Sequence, residues 1–276
     1  MLIAQITDLH IRPLGKPAYR VSETNALTER ALDAVANLRP RPDVVVVTGD
    51  LTDCGLAEEY TLLKQILSRL GIPTLLLPGN HDRRETLIDG LDLGPHAVLE
   101  SGFIQFVADL GPMRLIGLDT LVPGQSAGAL CEARLAFLDK ALDGANGKPV
   151  AIFMHHPPFN CGIRHMDAIR LLDGAEEFRA IVARHPNVER ILCGHHHRPI
   201  QARYAGTLAQ IAPSVTHQVT LDITDDGAAT FHMEPPAYLL HHYSEGAGLV
   251  SHMAYVERYP GPYPFVLDAD YPGAHA

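Results

Sequence analysis

The chain has 276 residues, of which 46% are hydrophobic and 20% charged, a composition typical of a globular protein with one core. Its formal net charge is 22 − 32 = −10 and no Lys/Arg-rich run occurs, which argues against binding long nucleic acids through their phosphates. The four cysteines are widely spaced, so neither a zinc ribbon nor a dense disulfide framework is indicated. Because the N-terminus runs directly into a strand and no apolar run could span a membrane, we expect a cytoplasmic protein with reduced thiols.

The first half of the chain alternates strands with helices. Residues 2–7 predict a strand, and a helix capped by Ser22 or Thr24 is predicted to run to about Leu38. The valine run 44–47 has the length and β-branching of a strand that is buried on both faces. A helix over about 57–70 and a strand over 74–77 complete a βαβαβ order, which is typical of α/β proteins.

The second half predicts more strands. They cover two adjacent strands within 102–118, single strands at 150–154, 188–193, 200–204 and 207–211, and a hairpin of 218–223 with 228–233; helices are expected at about 132–142 and 174–184. Early helices and late antiparallel strands predict two packed sheets flanked by helices. From residue 235 the composition shifts to Pro, Tyr, His and Gly. We therefore divide the chain into a main domain, 1–234, and a C-terminal arm, 235–276, that serves as an oligomerisation or cap element; a frayed tail is the alternative.

Metal-ligand residue types follow five of the predicted strands. They are Asp8, His10, Asp50, Asn80, His156, His195 and His197. Imidazole nitrogen combined with carboxylate and carbonyl oxygen suits Zn, Fe, Mn or Co. Seven side chains are too many for one such ion and suit two ions, with Asp50 on the central strand as the bridge. In the run 195–197, alternation places the outer two histidines on one face and predicts that His196 is exposed.

The charges of such a centre indicate a reaction. Two divalent ions, two aspartates, one hydroxide and one phosphodiester monoanion sum to zero. Two metals that clamp the attacking and leaving oxygens of an in-line displacement are typical of phosphoester hydrolysis. Taken alone, Asp8-x-His10 also fits a turn, as does Gly79-Asn80-His81-Asp82. The prediction depends on their occurrence together at successive strand ends.

These motifs resemble those of the calcineurin-like metallophosphoesterases: Asp8-x-His10, Gly49-Asp50, Gly79-Asn80-His81-Asp82, His156 and Gly194-His195-x-His197. More narrowly, segments 50–55, 58–60, 155–158 and 213–218 resemble class III cyclic-nucleotide phosphodiesterases and bacterial glycerophosphodiesterases. The resemblance implies a four-layer αββα sandwich with two transition-metal ions, Fe, Mn, Zn or Co.

The resemblance also implies residue roles. Asp8, His10, Asp50 and His197 would hold one ion, and Asp50, Asn80, His156 and His195 the other. His81 would not ligate; it would stabilise developing charge or protonate the leaving alkoxide, with Asp53 or Asp82 to orient it. The expected catalytic residues are thus His81 and Asp50. The expected substrate site comprises Tyr19, Asn80, His81, His217 and the loop 160–167.

Departures from related families narrow the substrate. Asp53-Cys54-Gly55 stands where protein Ser/Thr phosphatases carry Asp-Arg-Gly, and Asp53 stands where purple acid phosphatases have a tyrosine ligand. We therefore expect a phosphodiesterase that acts on small molecules. We expect neither a membrane nor a nucleic-acid polymer as a partner, and we expect a homo-oligomer. Because no aromatic pair for base stacking is obvious, a glycerophosphodiester or a broad specificity is slightly favoured over a cyclic nucleotide. The alternatives are a small-molecule phosphomonoesterase and a non-catalytic scaffold of the same fold.

Overall fold

The computed structural model describes residues 1–266. Its strands are β1 (Leu2–Ile6), β2 (Val44–Thr48), β3 (Thr74–Leu77), β4 (Ala97–Val98), β5 (Gln105–Leu110), β6 (Met113–Leu118), β7 (Gly128–Ala129), β8 (Val150–Met154), β9 (Leu171–Asp173), β10 (Val188–Cys193), β11 (Ile200–Tyr204), β12 (Thr207–Ile211), β13 (Gln218–Val219), β14 (Phe231–His232), β15 (Ala237–Ser244) and β16 (Gly248–Tyr255). The α-helices are α1 (Thr24–Ala36), α2 (Ala57–Ser68), α3 (Arg84–Gly90), α4 (Glu132–Asp143), α5 (Arg164–Asp167) and α6 (Ala175–Ala183).

Two large sheets carry the fold. The first has the order β16-β15-β1-β2-β3, and the second has the order β11-β12-β10-β8-β6-β5-β4. In the first sheet β1, β2 and β3 are parallel, and in the second β6, β8, β10 and β12 are parallel. The parallel strands of each sheet therefore present their carboxyl ends at a common edge, where ligands bind in α/β proteins.

The core has three apolar layers. Alternate residues of β1, β2 and β3 meet β5, β6, β8 and β10 between the sheets, as Val46 and Phe153 do. The opposite face of the first sheet packs against α1 and α2, and that of the second sheet packs against α4 and α6. The valines of β2 are all fully buried, as expected for a strand covered on both faces. This arrangement is the predicted αββα sandwich.

The start of helix α1 differs from the expectation. Its N-cap is Glu23, and no side chain caps it. The hydroxyl of Thr24 donates instead to the backbone oxygen of His10, at 2.6 Å. Thr24 therefore fastens α1 to the loop that follows β1, which is one of the loops that carry the predicted ligands.

The first part of the predicted C-terminal arm lies inside the first sheet. Strand β15 pairs antiparallel with β1, and β16 pairs with β15. The first sheet therefore includes strands that follow residue 235. They cover the edge of β1 that β2 does not pair with. The predicted hairpin before the arm is present but short, reduced to β13 and β14. Residues 267–276 of the arm lie outside the described part of the chain, within which no helix is long and apolar enough to cross a bilayer.

Candidate metal centre and active site

Backbone hydrogen bonds bring the strand ends together. Asp8 N–H donates to Gly49 O at 3.1 Å, which joins the ends of β1 and β2. Gly194 N–H donates to His155 O at 3.0 Å, which joins the ends of β10 and β8. The two sheets are linked by the N–H of His195, which donates to the carboxylate of Asp8 at 3.1 Å. The ends of four strands thus form one cluster.

Four of the predicted ligands lie together in the first half of this cluster. Ligand atoms of Asp8, His10, Asp50 and His197 are all within 4.8 Å of one another, and all four side chains are buried. Nε2 of His197 lies 3.2 Å from the Asp8 carboxylate, and Nε2 of His10 lies 3.7 Å from the Asp50 carboxylate. This is the group that the sequence assigned to one ion.

The other ring nitrogen of each histidine in this group is held by a protein acceptor. Nδ1 of His10 lies 3.1 Å from the Asp53 carboxylate, and Nδ1 of His197 lies 2.9 Å from the backbone oxygen of His217. Such acceptors fix the tautomer with the proton on Nδ1 and leave Nε2 as the basic nitrogen. The arrangement is typical of metal-ligating histidines.

The second half of the cluster contains two adjacent histidines, the predicted ligand His156 and its neighbour His155. Nε2 of His155 lies 3.1 Å from Oδ1 of Asn80 and 3.4 Å from the Asp50 carboxylate, and its Nδ1 lies 2.7 Å from Thr48 O. Burial works to lower the pKa of His155, but Asp50, Asp8 and Thr48 O together outweigh it and raise this pKa to about 9. The position therefore attracts positive charge.

Both ring nitrogens of His156 also have protein partners. Nδ1 lies 2.7 Å from the hydroxyl of Thr120, and Nε2 lies 3.1 Å from Ser126 O. Its ring packs against that of His195, at 4.5 Å between centroids, and its nitrogens belong to a group of three close histidines with His155 and His195. The predicted ligand His156 therefore lies within the second half of the cluster, together with His155.

Strand parity explains why His155 lies next to Asp50. In β8, Ala151 and Phe153 face the core between the sheets, whereas Ile152 and Met154 face the outer helices. Continued alternation directs His155 toward the first sheet, where Asp50 lies.

In the histidine triple, His195 lies in the cluster as predicted, whereas the environment of His196 differs from the prediction. Nε2 of His195 lies 3.0 Å from Ile169 O, which leaves Nδ1 for the cluster. His196 is fully buried, contrary to the expected exposure, and both of its ring nitrogens have no partner within residues 1–266. The loop after β10 leaves extended geometry, since His195 and His197 have positive φ, so strand alternation no longer applies there.

Backbone strain concentrates at the centre. Positive φ occurs at Asp8, His10, Asp50, His195 and His197, all of which are predicted ligands. This conformation costs about 1–3 kcal/mol at a non-glycine residue and persists where the surroundings impose it. A Cβ on Gly49 would collide with the His155 ring, so the glycine allows the two sheets to approach here.

Buried acids hold the loops after β2 and β3. Asp82 accepts hydrogen bonds from the backbone of Leu51 and Thr52, from Gly79 N–H, and from the hydroxyl of Tyr60 at 2.9 Å. The carboxylate of Asp82 is therefore committed to positioning these loops. Of the two acids expected to orient His81, Asp53 is the one beside its ring, with its backbone oxygen 2.8 Å and its carboxylate 3.6 Å from Nδ1.

His81 lies at the edge of the centre. Its N–H donates to the Asp50 carboxylate at 2.9 Å, and its Nδ1 lies 2.8 Å from Asp53 O. Within residues 1–266, the hydrogen bonds of His81 use its backbone N–H and Nδ1, so its Nε2 is available. Burial works to lower the pKa of His81, but Asp50 and Asp53 outweigh it and raise this pKa.

Two adjoining cavities open at this edge and share Asn80, His81 and Ser126. The first has a volume of about 330 Å³ and is lined by the expected Tyr19 and His217, and by His165 and Met166 of the loop 160–167. The second, of about 510 Å³, extends past His81 toward Arg83. Phe231, which the sequence analysis did not single out, also lines the first cavity.

Known proteins resemble this chain in sequence and in fold. A family model described as calcineurin-like phosphoesterase matches residues 1–199. A probable glycerophosphodiester phosphodiesterase of Arcobacter nitrofigilis is 38% identical over 265 residues, covering 96% of this chain and 97% of the relative. A probable cyclic nucleotide phosphodiesterase of Rhodopseudomonas palustris is 37% identical over 244 residues, covering 86% of each chain. The solved structure of a dimetal phosphatase from Danio rerio has the same fold, with a TM-score of 0.67 at 16% identity, covering 93% of this chain and 99% of that one.

Proposed function

The chain belongs to the calcineurin-like phosphoesterase family, and we propose that it is a metal-dependent phosphodiesterase that hydrolyses small phosphodiesters, a glycerophosphodiester or a cyclic nucleotide. The observation that carries the proposal is the convergence of carboxylate, amide and imidazole groups from the ends of four strands, β1, β2, β8 and β10, together with Asn80 of the loop after β3. His81 lies beside them, at the junction of two cavities.

The donor groups fit two transition-metal ions. One ion would be held by Asp8, His10, Asp50 and His197. The other would be held by Asp50, Asn80, His156 and His195, the set that the sequence predicts. Support comes from the protein oxygen atoms that hold the second ring nitrogen of each of these histidines. Bound divalent ions would supply a nucleophile at neutral pH and neutralise charge on the phosphoryl oxygens.

His81 is the proposed general acid. Asp53 O accepts a hydrogen bond from Nδ1–H of His81 and so orients the ring. Nε2 is then left to give a proton to the leaving alkoxide. The raised pKa of His81 favours the protonated ring that this role requires. Its position where the cavities meet is where the bond between phosphorus and a leaving substituent would lie.

The test is turnover by protein stripped of metal and reloaded with Mn²⁺, Zn²⁺ or Co²⁺, offered glycerophosphoethanolamine and 3′,5′-cyclic AMP in parallel. We expect hydrolysis of at least one diester only in the reloaded samples. The ranking of the ions would identify the metal that best supports activity. This measurement is needed because the metal that occupies a histidine–aspartate site depends on availability as much as on affinity.

A comparison of bis(p-nitrophenyl) phosphate with p-nitrophenyl phosphate separates the proposal from the phosphomonoesterase alternative. The diester should be turned over faster. Faster turnover of the monoester would contradict the proposal. An absence of metal-dependent turnover with two bound ions would favour the scaffold.

A further inference from the structure

An aromatic wall borders the first cavity. The rings of Tyr19 and Phe231 lie 5.4 Å apart between centroids, tilted by 44°, and each also contacts His217, at 5.4 and 5.0 Å. Tyr19 follows β1 and Phe231 lies on β14, so only the tertiary structure brings them together. The sequence analysis had found no aromatic pair suited to stacking.

The wall is open to the cavity. Half of the Tyr19 side chain is exposed (52%), and Phe231 is only partly buried, although both rings are apolar groups at the mouth of a polar site. Met166, Ile169 and Val219 line the same cavity. An apolar surface that faces a ligand site and is left accessible is typical of a binding surface.

The geometry selects the shape of the occupant. At 5.4 Å the two rings contact each other, so no slot exists between them, and a ligand ring would stack on their open face. An exposed ring face of this tilted pair favours a planar group, whereas a quaternary ammonium group is bound by a cage of rings. The opposite side of the cavity belongs to the proposed metal centre, whose cations would repel an ammonium group.

We propose that Phe231 and Tyr19 are specificity-determining residues that stack against a neutral planar base carried by one ester substituent of the substrate. This inference rests on the proposed function for the position of the phosphate. The second cavity, past His81 toward Arg83, then takes the other substituent when the diester is acyclic. A nucleoside substituent covers the aromatic wall, whereas a glycerol substituent leaves it uncovered.

The test is equilibrium binding by calorimetry to Mn²⁺-loaded protein, with the phosphonate isosteres of AMP and of glycerol 3-phosphate as probes. Their C–P bonds resist hydrolysis, so the result does not depend on turnover. We expect the base-bearing probe to bind the natural sequence about tenfold more tightly than the glycerol probe, as base–aromatic stacking contributes. Phe231→Leu should remove most of that difference and leave glycerol binding within about twofold.

Two controls separate stacking from folding. Phe231→Tyr keeps an aromatic face and should retain base selectivity. Met233→Leu changes an exposed residue near the same hairpin that does not line the cavity, and should change neither affinity. Equal affinities of the natural sequence for both probes, or an equal loss for both in Phe231→Leu, would overturn the inference. Diester turnover without base-selective binding overturns only this inference, whereas base-selective binding without any diester turnover overturns the proposed function.

Discussion

At the scale of single residues, two adjacent histidines are candidates for the second ion. His155 and His156 are both buried close to His195. Both ring nitrogens of each have protein partners, which are Thr48 O and Asn80 for His155 and Thr120 and Ser126 O for His156. Hydrogen bonds therefore do not separate the two, whereas the metal content of single variants does.

The substitutions His155→Ala and His156→Ala test this assignment. We expect His156→Ala, which removes the predicted ligand, to lose one of two bound ions and to lose more activity than the roughly 10- to 100-fold that removal of an outer partner costs. His155→Ala should retain both ions. Metal content by inductively coupled plasma mass spectrometry, with turnover of an activated diester, measures both effects. The reverse pattern would make His155 the ligand.

His81→Ala tests the general acid. We expect turnover of a diester with a poor leaving group to fall by roughly 10²- to 10⁴-fold, the usual contribution of a positioned acid or base. Metal content should be unchanged, since His81 is not a proposed ligand. A p-nitrophenyl diester is the internal control, because its leaving group needs less protonation and its turnover should fall less. Loss of metal in this variant would contradict the role.

At the scale of elements, a buried polar network joins strand β15 to its neighbours β1 and β16 and to the second sheet. His241 is fully buried; its Nε2 lies 3.1 Å from the side-chain oxygen of Gln5 on β1, and its Nδ1 lies 2.7 Å from Ser251 on β16. Arg190 of the second sheet donates to the same Ser251 hydroxyl. The network therefore ties both sheets to the C-terminal strands.

This network predicts a pH dependence of stability. Burial, with a smaller effect of Arg190, lowers the pKa of His241 from 6.5 to about 3. As the pH falls, the unfolded chain takes up the proton first, so stability that is complete above pH 6.5 is lost between pH 6.5 and about 3. Between pH 7 and pH 5, the unfolding free energy should fall by about 2 kcal/mol more in the natural sequence than in His241→Gln.

Urea denaturation at the two pH values measures this difference. Because other buried histidines titrate in both proteins, only the difference between the two proteins reports on His241. Equal losses of unfolding free energy would show that His241 gains a proton in the folded state as easily as in the unfolded chain.

At the scale of the whole molecule, the segment after β16 presents apolar side chains to solvent. Tyr259, Tyr263, Phe265 and Val266 are all exposed in the single chain. Large exposed apolar groups close together in sequence are typical of a surface that another protein covers. The predicted homo-oligomer would supply that cover.

Light scattering after size-exclusion chromatography tests this prediction. We expect a mass of at least twice the 30.0 kDa of one chain. The double substitution Tyr263→Ser with Phe265→Ser should shift the protein toward the monomer, because it removes apolar area from the covered surface. Leu14→Ser, at an equally exposed residue of another loop, is the control. A monomer at all concentrations would contradict the prediction.

The sequence by itself determined the sandwich and most of the centre. Strand β2 and the residues that follow it, Gly49 and Asp50, are local features, because β-branched apolar residues specify a buried strand and its end specifies where a ligand lies. The same local logic applies to Asp8, His10 and Asn80. These residues lie at the predicted strand ends, since short sequence patterns fix both the element and the position of its last residue.

Only the tertiary structure decided which neighbouring groups meet. The contact of His155 with Asp50 depends on which face of β8 looks toward the first sheet, and burial of His196 depends on a loop whose backbone leaves extended geometry. The pairing of Tyr19 with Phe231, and of β15 with β1, joins segments from opposite ends of the chain. Such contacts depend on packing between layers, which a one-dimensional pattern does not encode.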